Sequence, residues 1–170
     1  VAASKCIRSR CGYGVEHWRV CNALGIVYYL FGEYSDSVSH YKKAIGLSQT
    51  RAMLHNKLGD TLTMNRQCMQ AEGVLQKALM LAPSKPRIVN NLALAIAWQG
   101  RYDEAIQQLT LVMDEASANN NVGYVAYLNE QYDAAENMFR KAMRLEPSYY
   151  QRAAANLDLT MKKKNSLSKK

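Results

Sequence analysis

Apolar residues along most of this chain fall three, four and seven apart, the spacing of amphipathic helices. Glycine-containing breaks such as Phe31-Gly32-Glu33 and Gln99-Gly100-Arg101 divide the pattern into helices of about a dozen residues, near the ordinary helix length. The pattern also repeats. Leu24-Gly25, Leu58-Gly59 and Leu92-Ala93 recur at intervals of 34, and Val122-Gly123 follows after 30. Tyr34, Tyr102 and Tyr132 keep one offset from these pairs, with Cys68 in the second unit. Ala71, Ala105 and Ala135 keep another, with Ser37 in the first. A bulky place follows at Tyr41, Leu75, Leu109 and Phe139, then a smaller one at Ala44, Ala78, Val112 and Ala142. Pro83 and Pro147 close two of the units, because proline cannot continue a helical hydrogen-bond ladder.

These periods predict an all-α chain of paired antiparallel helices in units at 18–51, 52–85, 86–115 and 116–149. Gly25, Gly59 and Gly123 cost helix propensity, so a packing reason is expected: against the small Ala71, Ala105 and Ala135 they let two helices approach closely. The third unit lacks four residues, about one helical turn, which predicts a shortened helix near 110–120. Tyr150, Ala154, Leu157 and Met161 form a stripe that predicts a capping helix over 150–163, since the last repeat otherwise exposes its apolar face. Residues 164–170 read as a basic tail, and 1–17 as a partial preceding repeat or N-terminal helix through Ala2, Ala3, Cys6 and Ile7.

Composition narrows the function. With 48% apolar residues spread throughout 170, the chain is not disordered as a whole. No window approaches a membrane-spanning run, and three prolines with nine glycines are too few for an all-β domain. The formal charge of +8 looks like an invitation to nucleic acid, but it is held by the ends. Lys5, Arg8, Arg10, Lys162, Lys163, Lys164, Lys169 and Lys170 lie there without an acid, and the residues between carry 14 bases against 14 acids. Nucleic-acid binding needs a basic patch on a folded face, so no nucleic-acid partner is expected.

Catalytic and metal motifs are missing from the sequence. No phosphate-binding, dinucleotide-binding, nucleophile-elbow or H-E-x-x-H pattern occurs, and His17, His40 and His55 are scattered without an orienting acid. The expectation is a chain without enzymatic activity, cofactor or metal. Cys6, Cys11, Cys21 and His17 contain no C-x-x-C pair to suggest zinc. Cys21 and Cys68 are expected as small buried hydrophobes, and a Cys6–Cys11 or Cys11–Cys21 bridge would require an oxidising compartment.

The repeated residues resemble the tetratricopeptide repeat (TPR) family over about 18–149. Gly123, Tyr132, Ala135, Phe139, Ala142 and Pro147 match its pattern in the last unit, and Gln-Gly-Arg-Tyr-Asp-Glu-Ala-Ile at 99–106 matches in the third. The resemblance implies a right-handed superhelical solenoid whose first helices line a concave groove for a peptide or partner domain. Asn22, Asn56, Asn90 and Asn120 each occupy the fifth place of a unit, where an amide can both donate to and accept from a peptide backbone. Helix capping is the competing explanation, though it favours the first place rather than the fifth. On the same face Arg19, Lys57, Asp60, Arg87, Asn91, Tyr29, Tyr124, Tyr127 and Trp98 are expected, with Trp98 equally placed to join the core. The two-carboxylate clamp of chaperone-adaptor TPR domains is matched only partly, by Lys57, Asn56 and Arg87, because the first unit offers Asn22 and Ile26 with no lysine.

Asn-Asn-Leu-Ala-Leu-Ala at 90–95, Asn-Val-Gly-Tyr at 121–124 and Glu-Pro-Ser-Tyr-Tyr at 146–150 are similar to the TadD lipoproteins of bacterial tight-adherence (Tad/Flp) pilus systems. That resemblance implies an adaptor for pilus assembly or secretion at the periplasmic face of the outer membrane, with a secretin or another assembly component as partner. Membrane contact would need a lipid anchor in the precursor, and no recognisable lipobox precedes Cys6. A cytoplasmic peptide-binding co-chaperone or scaffold, and an accessory domain of a larger enzyme, are the alternatives. The sequence leaves monomer and homodimer both open.

Overall fold

The computed structural model describes residues 17–83, 85–146 and 150–167, which form helices without a strand among them. The expectations for Cys6, Cys11, the N-terminal partial repeat and Pro147 therefore lie outside the described residues. In chain order the helices are α1 (His17–Leu30), α2 (Tyr34–Leu47), α3 (Ala52–Met64), α4 (Cys68–Leu81), α5 (Pro86–Ala97), α6 (Tyr102–Leu109), α7 (Glu115–Leu128), α8 (Tyr132–Leu145) and α9 (Tyr150–Leu167). They fall into two compact units that divide within α5, after Asn91.

In the first unit α1 pairs with α2 and α3 with α4, and α2 also packs on α3. Leu24, Tyr41, Leu54, Leu62 and Leu75 are buried there with Ala44, Ala71 and Ala78. The glycine positions work differently from the expectation. A methyl group on Gly25 would sit 2.7 Å from the Tyr41 ring, and one on Gly59 would collide with the Leu75 side chain. The glycines thus make room for the bulky place of the second helix, not for its small one. Ser37, the departure from alanine in the first unit, is fully buried and its hydroxyl donates to the Gly25 carbonyl at 2.8 Å. That bond satisfies the one polar atom the substitution brings into the core.

In the second unit α7 packs against α8, α8 against α9, and α6 against α7. Phe139, Leu109, Val122, Ala105, Ala126, Ala135 and Ala142 are buried there, and a methyl on Gly123 would lie 2.9 Å from the Phe139 ring. The lost turn is taken from α6, which has 8 residues where α8 has 14. The region near 110–120 is instead a turn followed by the start of a full-length helix. Asp114 fixes that start: its carboxylate accepts from the Ser117 amide at 2.7 Å and from the Ser117 hydroxyl at 2.6 Å, the bonds of an N-cap.

The turns inside the pairs share one geometry. Gly32, Arg66, Gly100 and Glu130 all take left-handed backbone, with φ of 74°, 61°, 82° and 61°. Each is followed or accompanied by bonds back to the preceding helix, such as Gln67 N to Leu62 O and Gln131 N to Ala126 O, both 2.9 Å. This is a Schellman-type ending, which glycine enters without strain and a residue with a side chain does not.

Two expectations for the C-terminal end are corrected. The helix runs past 163 to Leu167, and its buried positions are Ala153 and Thr160; of the expected stripe Leu157 packs on the core, while Ala154 and Met161 are half-buried. Lys164 is not part of a frayed tail: its ammonium donates to Glu136 at 2.8 Å and to Asp133 at 2.5 Å, tying α9 to α8. At the other end His17 opens α1, where the sequence left it outside the helix.

Candidate functional site

The conserved offset of the asparagines becomes a set of bonds between first helices. In the first unit the Asn22 carbonyl oxygen accepts from the Lys57 ammonium at 3.1 Å, and that of Asn56 accepts from the Asn91 amide at 3.1 Å. In the second unit Asn120 accepts from Asn156 of α9 at 3.0 Å. Each acceptor stands in the fifth place of its unit; Lys57 and Asn91 lie 35 residues after theirs, in the sixth place of the following unit, and Asn156 lies 36 residues after Asn120 on α9. Neither capping nor an open amide face describes this. Asn56 and Asn120 are buried and their carbonyls are spent holding neighbouring helices at fixed spacing. Asn90 is half-buried, and it is Asn91 that makes the bond to Asn56.

Around the first-unit bonds lies a cleft of about 360 Å³ lined by Ile26, Tyr29, Tyr41, Asn56, Lys57, Asp60, Thr61, Arg87 and Asn91. Six of the residues named from sequence meet here: Tyr29, Asn56, Lys57, Asp60, Arg87 and Asn91. Burial holds Lys57 below its usual range, and the positive Arg87 nearby pushes it further in the same direction. Burial raises Asp60 above the usual carboxylate range, although the Tyr29 hydrogen bond and Arg87 both oppose that shift. Tyr29 is pushed up to about 12 by burial, by the Asp60 charge and by donating its hydroxyl to that carboxylate. Tyr41, also about 12, feels burial first and then Asp60. The cleft therefore sets two cations and one hydrogen-bonded carboxylate in a partly desolvated wall. An incoming anion would relieve the repulsion between Lys57 and Arg87, and amides and a tyrosine stand beside it for main-chain or apolar contact.

The other named residues lie elsewhere. Arg19 is exposed on α1 with its guanidinium 5.3 Å from the Trp18 ring centre. Trp98 follows α5 half-buried, and its main-chain carbonyl accepts from Asn129 at 3.4 Å. Tyr124 and Tyr127 stack at 6.1 Å in the second unit, Tyr124 46% exposed and Tyr127 packed on the cluster of Ala126, Ala135 and Phe139. Tyr41 and Thr61 were not foreseen in the cleft, and neither was Asn156 as a bonding partner. Carrying the asparagine spacing of 34 past Asn120 leads to Ala154, so Asn156, two places further on, was not legible from the period.

His55 is 3% exposed with Nε2 at 2.8 Å from the Gln49 carbonyl, a structural histidine tying α3 to the preceding turn. Cys21 packs with Ala44 and Leu54 in the core, while burial raises the thiol of half-buried Cys68. Among the described residues no three of His, Cys, Asp and Glu are placed to hold a metal ion, and no helix is long and apolar enough to cross a membrane.

Models of the tetratricopeptide repeat match residues 56–121 and 116–149. The peroxisomal targeting signal receptor of Saccharomyces cerevisiae is 28% identical over 112 residues, 65% of this chain and 18% of the receptor, so the chain spans under a fifth of that relative's length. The solved structure of the MamA RS-1 double mutant superposes with a TM-score of 0.66 at 20% identity, covering 86% of this chain and 85% of that one. YrrB, described as a TPR protein with an unusual peptide-binding site, gives 0.61 at 25% identity over 86% of this chain and 74% of its own.

Proposed function

The chain belongs to the tetratricopeptide repeat family, and from that premise we propose that it is a non-enzymatic adaptor that holds a segment of another protein in the Lys57–Arg87 cleft. The observation that carries this reading is the convergence of two cations on a wall already furnished with Asn56, Asn91 and Tyr29. An extended segment with an acidic group satisfies both cations, and the amides can meet its main chain. YrrB's described peptide-binding site and the yeast receptor's name, which speaks of a targeting signal, support a peptide-like ligand. Capture of binding proteins with the native chain and with a Lys57→Gln/Arg87→Gln variant tests the cleft. Partners retained by the native chain are expected to be lost by the variant at unchanged helicity, and an unchanged set of captured proteins would sink the assignment.

The finer reading places the partner in a tight-adherence pilus or secretion apparatus at the periplasmic face of the outer membrane. Its support is the likeness of residues 90–95, 121–124 and 146–150 to that branch. The name of the yeast relative, a targeting signal receptor, favours instead the reading of a peptide-binding scaffold of the second kind, one that recognises a signal segment. The identity of captured proteins separates the two: envelope assembly components support the first, and unrelated proteins sharing a short sequence support the second.

A further inference from the structure

Asp60 is at odds with the rest of its cleft. Lys57 and Arg87 suit an incoming anion, yet the same 360 Å³ space is lined by a carboxylate. The titratable and charged groups that line it with Asp60 are Tyr29 of α1, Tyr41 of α2, Lys57 of α3 and Arg87 of α5. Tyr29 donates its hydroxyl to the carboxylate, and Arg87 also favours the ionised form. Burial opposes both and prevails, so the carboxyl takes up its proton more readily than an exposed one. The Lys57 ammonium is held by the Asn22 carbonyl at 3.1 Å, and Asn56 is joined to Asn91.

A cleft of this size leaves an acidic side chain no route to the two cations that avoids Asp60. While Asp60 is ionised, its charge offsets part of the attraction and repels the ligand in a partly desolvated space. Once protonated, the same carboxyl has an O–H to donate to an incoming carboxylate, and the net charge of the wall rises by one.

We infer that Asp60 makes binding in this cleft proton-linked: the cleft takes an acidic side chain of its partner together with one proton, which resides on the Asp60 carboxyl. The inference rests on the protein-binding reading above and adds its regulation. Asp60 is neutral below its folded titration point and charged above it, and a bound anion moves that point higher. Affinity is therefore greatest at low pH and falls as pH rises between the free and bound values, by up to about tenfold per pH unit for one proton.

Acetylated peptides of alanine, leucine and one or two aspartates serve as the probe, because aspartate in a short peptide is ionised above about pH 5. The tightest of them is titrated calorimetrically into the full native chain, Asp60→Asn and Lys57→Gln/Arg87→Gln, in buffers of different ionisation heat, with helicity checked by circular dichroism. The native chain is expected to lose about tenfold in affinity between about pH 5.5 and about pH 7.5 and to take up a proton on binding. Asp60→Asn is expected to hold the peptide at the native low-pH affinity throughout, with no uptake. If Asp60→Asn keeps the native profile, the proton belongs to another group such as Lys57, and the inference is wrong. If the native chain binds equally at every pH and only Lys57→Gln/Arg87→Gln loses the peptide, the inference is again wrong and the cleft stands. If no peptide binds, or Lys57→Gln/Arg87→Gln binds as the native chain does, both fail. A carboxyl-carbon NMR titration of Asp60 in the native chain needs no variant: its midpoint should rise when the peptide is added, and an unmoved midpoint overturns the inference.

Discussion

Replacing Asn56 with alanine separates two roles that the sequence merged. Were its amide an open grip for a ligand, the change would weaken binding and leave stability alone. The structure instead buries Asn56, 7% exposed, with its carbonyl 3.1 Å from the Asn91 amide. A neutral hydrogen bond contributes about 1 kcal/mol net, and stranding a buried partner costs about 1–3 kcal/mol. Asn91 lines the cleft and can rehydrate, so Asn56→Ala is expected to cost about 1–2 kcal/mol. Asn91→Ala strands the Asn56 carbonyl in a more buried place and is expected to cost at least as much. The double variant should cost less than the sum, with a coupling of about 1 kcal/mol. Urea unfolding followed by circular dichroism reads all three; at a slope of about 2 kcal/mol per molar the midpoint falls by roughly 0.5–1 M for each single change. Additive single effects, within about 0.3 kcal/mol, would show that this bond does not hold α3 to α5. Arg87→Gln, on an exposed side chain, should stay within about 0.5 kcal/mol of the native chain, which is why it tests binding more cleanly than any asparagine does.

Arg66→Gly and Glu130→Gly should each stabilise the fold. Left-handed backbone costs a residue with a side chain about 1–2 kcal/mol, and the entropy glycine adds to the unfolded chain offsets about 0.5–1 kcal/mol of that gain. Thermal melts that fall in both variants would show that the left-handed turns are not strained. Asp60→Asn should stabilise at neutral pH with a definite pH signature. Asp60 titrates above the usual carboxylate range because of burial, so the folded state favours its neutral form. The stability this neutral form contributes is complete below the unfolded value, near about 4, and is lost as pH rises through the folded one. The asparagine variant's advantage should therefore be present at pH 7 and vanish in acid. An advantage independent of pH would mean that the Tyr29 bond or packing, not the charge, sets the difference.

The fold was legible because repetition multiplies weak signals. One Leu-Gly pair followed by a bulky residue says little, but Leu24-Gly25 with Tyr41, Leu58-Gly59 with Leu75, and Val122-Gly123 with Phe139 describe one packing solution three times over. What the period could not say is which partner a glycine faces. Small residues next to small ones looked natural, yet the helix crossing brings the bulky place to the glycine. The position of the lost turn was hidden for a similar reason. A gap in a period has a length but no address, and the address is set by the Asp114 cap, a local feature outside the repeat pattern. The binding face was half legible. An asparagine ladder marks the right helices and the right faces, so Tyr29, Lys57, Asp60, Arg87 and Asn91 were found with it. Its chemistry was misjudged because a sequence shows an amide without showing what it already bonds. A ladder whose carbonyls are used between helices sets the spacing of the side chains one turn away, as with Asp60 and Arg87 beside the Asn56–Asn91 bond. A repeat protein can in this way keep its helix spacing constant while changing what each place on its surface recognises.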